Sequence, residues 1–312
     1  MSTIRIIVPY FGKLPEIFPI WLKSCEANKN IQWLIITDDT SEYNYPQNVD
    51  VNYISWEDIK FRIQKLYDFE ITLDKPYKLC DYRVAYGEIF EEELQKYDFW
   101  GYCDLDLIFG NISKFITEDV LETYDKIQWR GHLTLYRNTK EVNRRYRLTL
   151  NGKLLYKEIF TSVENCFFDE DVIDKIYEQY EFKVYKKINF ADLKIRSYNF
   201  FLLHFPKEHN YKNKHQIFVW DSGRLTRLYI ENNKIKEEEF MYIHFLKRKI
   251  DCSKINLVED RFIIMPNKLI MLDEKITEEY VIKNSKNKFY LDYYLPRLKP
   301  NFILNKIKKK FC

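Results

Sequence analysis

Over the first hundred residues, short apolar runs alternate with amphipathic stretches, and the period of the pattern changes at each step. Ile4 to Val8 is a β-branched run closed by Pro9, Tyr10, Phe11 and Gly12, as in a buried parallel strand that empties into a loop. Residues 15–28 switch to a helical period that puts Ile17, Ile20, Trp21 and Cys25 on one face. Gln32 to Thr37 is a second apolar strand, stopped by Asp38, Asp39, Thr40 and Ser41, and Val51 to Ile54 is a third. Ser55 with Asp58 three positions on predicts a capped helix from Trp56 to Tyr67. A further strand runs into Trp100–Gly110. This order predicts an α/β protein built on a single Rossmann-type nucleotide-binding sheet with helices on both faces. Ligands of such sheets gather at the carboxyl ends of the strands, where 9–12, 38–40 and 104–106 all fall.

Beyond residue 110 the pattern is mixed. Residues 128–138 alternate like a strand, 139–180 carry a helical period, and 182–265 hold short strands at 217–220 and 225–230. Gly223 and the Asn232-Asn233 pair predict the turns of a meander there. The expected organisation is one domain over 1–265, with a nucleotide-binding half (1–110) and a second half (111–265), followed by a helical, basic tail over 266–312.

Composition narrows the class. A hydrophobic content of 46% with 17% aromatic residues fits a folded chain, and a net charge of +3 from 50 basic and 47 acidic residues argues against nucleic-acid binding. The charge asymmetry is local: Lys306, Lys308, Lys309 and Lys310 follow the aromatic stretch 289–295, so peripheral contact with an anionic membrane surface is expected of the C-terminus. Cysteines 25, 80, 103, 166, 252 and 312 show no paired spacing, which favours reduced thiols in the cytoplasm. No signal peptide is expected ahead of the first strand, and no apolar run approaches the roughly 20 residues of a membrane span.

Candidate chemistry centres on Asp104-Leu105-Asp106. A spacing of two aims both carboxylates to one side, where they repel unless a cation lies between them. Mg²⁺ or Mn²⁺ takes such ligands and keeps positions open for phosphate. His244, in an apolar run, can complete that coordination, with Lys247 and Arg248 just beyond it to neutralise a diphosphate. Lys78 and Asp81 open a helical stretch that also leaves Arg83 to reach a ligand, at a helix start suited to phosphate. Arg130, Gly131, His132 and Asn138 border a strand on the acceptor side. Asp169 or Glu170 is the candidate base for an acceptor hydroxyl, or else part of an acidic first helical turn. Trp220, Asp221 and Arg224 are a weaker acceptor-side group.

Taken together, the Ile6–Gly12 strand and loop, Lys78–Asp81, Gly101–Gly110, Gly131-His132 and Tyr242–Arg248 resemble a family of bacterial glycosyltransferases of capsular and exopolysaccharide gene clusters, over roughly residues 4 to 250. That family is more distantly similar to metal-dependent GT-A enzymes of the glycogenin and lipopolysaccharide galactosyltransferase kind. The resemblance implies Mn²⁺ or Mg²⁺ on Asp104, Asp106 and His244, with Lys247 facing the diphosphate. It also implies Asp38 or Asp39 near the uridine, and the backbone around Pro9 and Tyr10 over the base. The Gly and Lys-Pro-Trp that follow the histidine in glycogenin-like enzymes are replaced here by Lys247-Arg248-Lys249.

The expected activity is transfer of a hexosyl group from a UDP-sugar to a lipid-linked, undecaprenyl-type oligosaccharide at the inner face of the plasma membrane. Retention needs no protein base, whereas inversion would use Asp169 or Glu170. The alternatives are a nucleotidyl- or phosphotransferase, for which 9–13 lacks a Gly-rich phosphate loop, and a non-catalytic carbohydrate-binding protein on a transferase fold.

Overall fold

The computed structural model describes residues 1–206, 210, 215–272, 274–285 and 291–298. The chain divides into two compact units, Met1–Asn189 and Phe190–Cys312. The described residues form three sheets in a mixed α/β arrangement, where the sequence pattern predicted one sheet and a division after 265.

In the first unit the strands are β1 (Ile4–Tyr10), β2 (Ile31–Thr37), β3 (Val49–Tyr53), β4 (Phe99–Cys103), β5 (Leu107–Phe109), β6 (Lys126–Arg130), β7 (Leu133–Arg137) and β8 (Val184–Tyr185). Seven of them form one sheet in the order β3-β2-β1-β4-β7-β6-β8. β3, β2, β1 and β4 run parallel, β7 pairs antiparallel with β4 and β6, and β8 is parallel to β6. The 3-2-1-4 order reverses direction between β1 and β4, which opens a crevice beyond their carboxyl ends. The apolar runs of β1, β2 and β4 are buried because helices cover them: Phe18–Glu26 buries Phe18, Ile20, Trp21, Leu22 and Cys25. Trp56–Gln64 is capped by Ser55, whose side chain accepts from the Asp58 amide while Asp58 returns the bond. Between 76 and 94 the expected helix is a chain of short turns, Pro76–Lys78, Leu79–Tyr82, Arg83–Ala85, Tyr86–Ile89 and Glu91–Leu94. Gly101 sits where β4 crosses β7; a Cβ there would lie 2.5 Å from the Thr134 carbonyl oxygen.

In the second unit, β9 (Ala191–Asp192), β10 (Gln216–Asp221), β11 (Arg224–Glu231), β12 (Lys234–Phe240), β13 (Tyr242–His244), β14 (Arg261–Met265) and β15 (Lys268–Met271) follow in chain order. An antiparallel sheet runs β12-β11-β10-β14-β15. Its hairpin turns fall at Gly223 and at Asn232-Asn233, all with positive φ. The helix Glu278–Asn284 buries Val281 against Ile217, Val219, Leu228, Ile263 and Met265. β9 and β13 pair in parallel, His244 opposite Asp192. Within the stretch expected as a helical tail, 266–312, residues 268–271 form a strand on β14, where Leu269 is fully buried and Ile270, on the opposite face, packs against the cluster of Ile217, Val219 and Ile263. The basic residues 306–312 lie outside the described residues. Among the described residues no helix is long and apolar enough to cross a membrane.

Candidate active site

Asp104 and Asp106 lie in the bend that follows β4, on the side of the crevice between β1 and β4. The bend is fixed by its backbone. The Asp104 amide donates to the His132 carbonyl (3.1 Å), and Trp21 Nε1 donates to the Asp104 carbonyl (3.2 Å). Leu105 turns into the core, and the two carboxylates stay half-buried with oxygens within 4.8 Å of each other. Tyr10 stands at the end of β1. Burial first, and then the charge of Asp106, raise its hydroxyl pKa.

Arg83 joins Asp104 to Asp169. Its guanidinium donates to Asp104 Oδ1 (2.5 Å), Asp169 Oδ2 (3.0 Å) and the Gly131 carbonyl (2.7 Å), and it lies over the Tyr102 ring at 5.2 Å. Asp169 and Glu170 sit in one π-helical turn, Phe168–Val172, entered through Phe167 in the left-handed region at φ 53°. Tyr102 donates its hydroxyl to the Asp169 carbonyl (3.1 Å). On the facing hairpin, β6 bulges between Ile127 and Arg130, and Gly131 fits against this turn. A Cβ on Gly131 would lie 2.7 Å from Asp169 Oδ2 and 3.0 Å from Glu170 Oε1. Burial, opposed by Arg83, raises the Asp169 carboxyl to about 7. Glu170 remains half-exposed, with Arg130 at 3.7 Å. Burial also pushes the Cys103 thiol well up.

Asp38 and Asp39 end β2 and hold the loop after β1. Asp38 accepts from the Gly12 amide (2.6 Å) and Asp39 from the Leu14 amide (2.8 Å). The Leu14 bond and those from Ser41 hold the Asp39 carboxyl below its ordinary value. Gly12, at φ 91°, supplies the left-handed residue this loop needs.

Lys78 and Asp81 lie in the interior of the first unit. Both are at most 1% exposed and bond each other at 2.8 Å. Lys78 also donates to the Ile159 and Glu164 carbonyls, while Asp81 accepts from the Cys166 and Phe168 amides. These bonds tie the interior to the 166–168 segment. Arg83 is likewise engaged by carboxylates of its own chain.

In the second unit, His244 ends β13 in a buried position. Its Nδ1 lies 2.9 Å from Asp192 Oδ1, and Asp192 Oδ2 lies 3.0 Å from His204 Nε2. Arg248, expected beside the diphosphate, is buried, and its guanidinium donates to the carbonyls of Tyr198, Pro266, Lys194 and Ser197. Lys247 is exposed on a turn in which Leu246 and Lys247 both have positive φ, 49° and 60°. Trp220 packs on Phe262, and Asp221 and Arg224 pair with Arg261 and with Glu237 and Glu239, so this group builds the sheet. Asp192 and His204 escaped the sequence reading, because a two-residue strand and a single loop histidine carry no periodic signal.

The chain belongs to a family described as a family of unknown function (DUF6625), whose members' pattern matches residues 6–273. No curated protein matches the chain.

Proposed function

Starting from a family whose description assigns no activity, we propose that this protein is a divalent-metal-dependent glycosyltransferase. It would transfer a hexosyl group from a UDP-sugar to a lipid-linked oligosaccharide in cell-surface polysaccharide synthesis. The observation that carries the reading is the convergence of the Asp104 and Asp106 carboxylates beyond β4, where the strand order reverses. Two half-buried carboxylates with oxygens within 4.8 Å form a hard donor set that fits Mn²⁺ or Mg²⁺. The resemblance supplies His244 as the third ligand. When bound, the ion would draw charge from the β-phosphate as the glycosidic C–O bond breaks.

The remaining roles belong to the chain. Asp38 and Asp39 shape the loop after β1, so that Pro9 and Tyr10 border the base-binding end of the crevice. Lys247 is the exposed cation assigned to the diphosphate. Arg83 fixes Asp104 and Asp169 with one guanidinium, which orders the crevice before the donor arrives. In an inverting reaction Asp169, with its carboxyl raised to about 7, would take the acceptor proton, with Glu170 beside it. In a retaining reaction neither is needed as a base. The protein would work in the cytoplasm, at the inner membrane face.

Calorimetric titration of UDP into the protein tests the reading. Binding is expected with Mn²⁺, lost with EDTA and lost in Asp106→Ala. UDP binding that is indifferent to both would remove the metal from the account.

A further inference from the structure

We propose that Asp192 is a positioning residue for His244. It holds the imidazole as the Nδ1–H tautomer and thereby presents Nε2, with its lone pair, as the metal-binding nitrogen. That Nε2 receives a metal ion rests on the function proposed above; the tautomer does not.

Asp192 meets two imidazole nitrogens, one at each carboxylate oxygen. It is buried, and a carboxyl group carries at most one proton, so it cannot donate to two imidazole nitrogens at once. The arrangement that satisfies both carboxylate oxygens as acceptors has His244 Nδ1 donate to Oδ1 and His204 Nε2 donate to Oδ2. A neutral His244 that donates through Nδ1 carries its lone pair on Nε2. Ligand histidines are oriented in this way by a carboxylate on the second ring nitrogen, which also raises the basicity of the first.

The backbone makes the contact hard to lose. β9 and β13 pair in a register that sets His244 opposite Asp192, and the Leu193 amide donates to the His244 carbonyl (3.1 Å). The chain then returns: Leu193 bridges Leu202, and the Leu203 amide donates to the Asp192 carbonyl (2.7 Å). Asn210 clasps Leu202 through both its amide and its carbonyl. His204 is left-handed, at φ 68°, a conformation uncommon outside glycine. Strain of this kind persists where surrounding structure over-determines it. Here it accompanies the second imidazole on the same carboxylate, which limits Asp192 to one oxygen for His244.

The test uses the full chain with ¹⁵N-labelled histidine, with His244 assigned from His244→Gln. Long-range ¹H–¹⁵N correlation spectra of the metal-free protein read the tautomer, and electron paramagnetic resonance of free Mn²⁺ reads affinity. The expected result is a His244 Nδ1–H tautomer in wild type, mixed tautomers in Asp192→Ala, and recovery in Asp192→Asn, whose carbonyl still accepts from Nδ1–H. Mn²⁺ affinity should fall about 10–100-fold in Asp192→Ala. It should lie nearer to wild type in Asp192→Asn. An Nε2–H tautomer in wild type overturns the inference, and that reading stands even if Asp192→Ala does not fold. Wild-type Mn²⁺ affinity in Asp192→Ala overturns it too, while leaving the metal site intact. A wild-type protein with the expected tautomer that binds no Mn²⁺ would instead refute the metal site, and the role of Asp192 with it.

Discussion

Replacing Asp81 by alanine separates a structural from a ligand-binding role for the Lys78–Asp81 pair. The substitution leaves the Lys78 ammonium at 1% exposure with only carbonyl partners, and orphans the Cys166 and Phe168 amides. Breaking a buried ion pair from one side costs about 3–5 kcal/mol. Each orphaned buried donor costs about 1–3 kcal/mol more, though the contributions overlap. Asp81→Ala should therefore destabilise the first unit by at least about 4 kcal/mol, a large part of the roughly 5–15 kcal/mol that holds a domain. The double variant Lys78→Met/Asp81→Ala removes the stranded charge but not the orphaned amides, so it should recover part of the loss and not all of it. Urea unfolding followed by tryptophan fluorescence measures this, since Trp21, Trp33 and Trp100 are fully buried in the first unit. An Asp81→Ala unfolding free energy within about 1 kcal/mol of wild type would refute the reasoning, as would a double variant less stable than the single.

The raised carboxyl of Asp169 makes stability depend on pH with a definite sign. The folded group titrates at about 7 and the unfolded one near its ordinary 3.8, so between these values the folded state binds more protons and stability falls as pH rises. Asp169→Asn should remove this component, seen as a flatter denaturation midpoint between about pH 4 and 7; an unchanged slope would contradict it. Gly131→Ala drives a methyl into Asp169 and Glu170, and should cost about 1–3 kcal/mol together with most donor turnover, read by thermal unfolding and UDP release. Arg248→Lys cannot span four carbonyls, so the second unit should lose about 1–3 kcal/mol while Mn²⁺-dependent UDP affinity of the folded protein holds; the reverse pattern would restore Arg248 to the diphosphate.

The parallel half of the first sheet was legible because β1 and β2 are largely buried and read as near-continuous apolar runs at Ile4–Val8 and Gln32–Thr37. Ser55 and Asp58 announced their helix because capping is local chemistry. The β10–β12 meander was visible in Gly223 and the Asn232-Asn233 pair for the same reason. β15 was not, since four residues carry no reliable period and its pairing with β14 is a tertiary choice. The candidate site divides along the same line. Asp104 and Asp106 declare themselves as charges forced out of an apolar run. Lys78, Asp81 and Arg248 look alike as polar residues in apolar surroundings, yet their partners are distant amides and carbonyls that spacing does not reveal. The Arg83 bridge between Asp104 and Asp169 spans segments far apart in the chain, beyond any local pattern.

The central claim is that Asp104 and Asp106 hold a cation that serves sugar transfer. Its most direct test is UDP release by the purified protein from a panel of UDP-sugars, with Mn²⁺ or EDTA, in wild type and in Asp104→Asn and Asp106→Asn. The account predicts slow hydrolysis of one donor that requires metal and disappears in both variants. Release that survives EDTA or either variant, or no release from any donor, would contradict it.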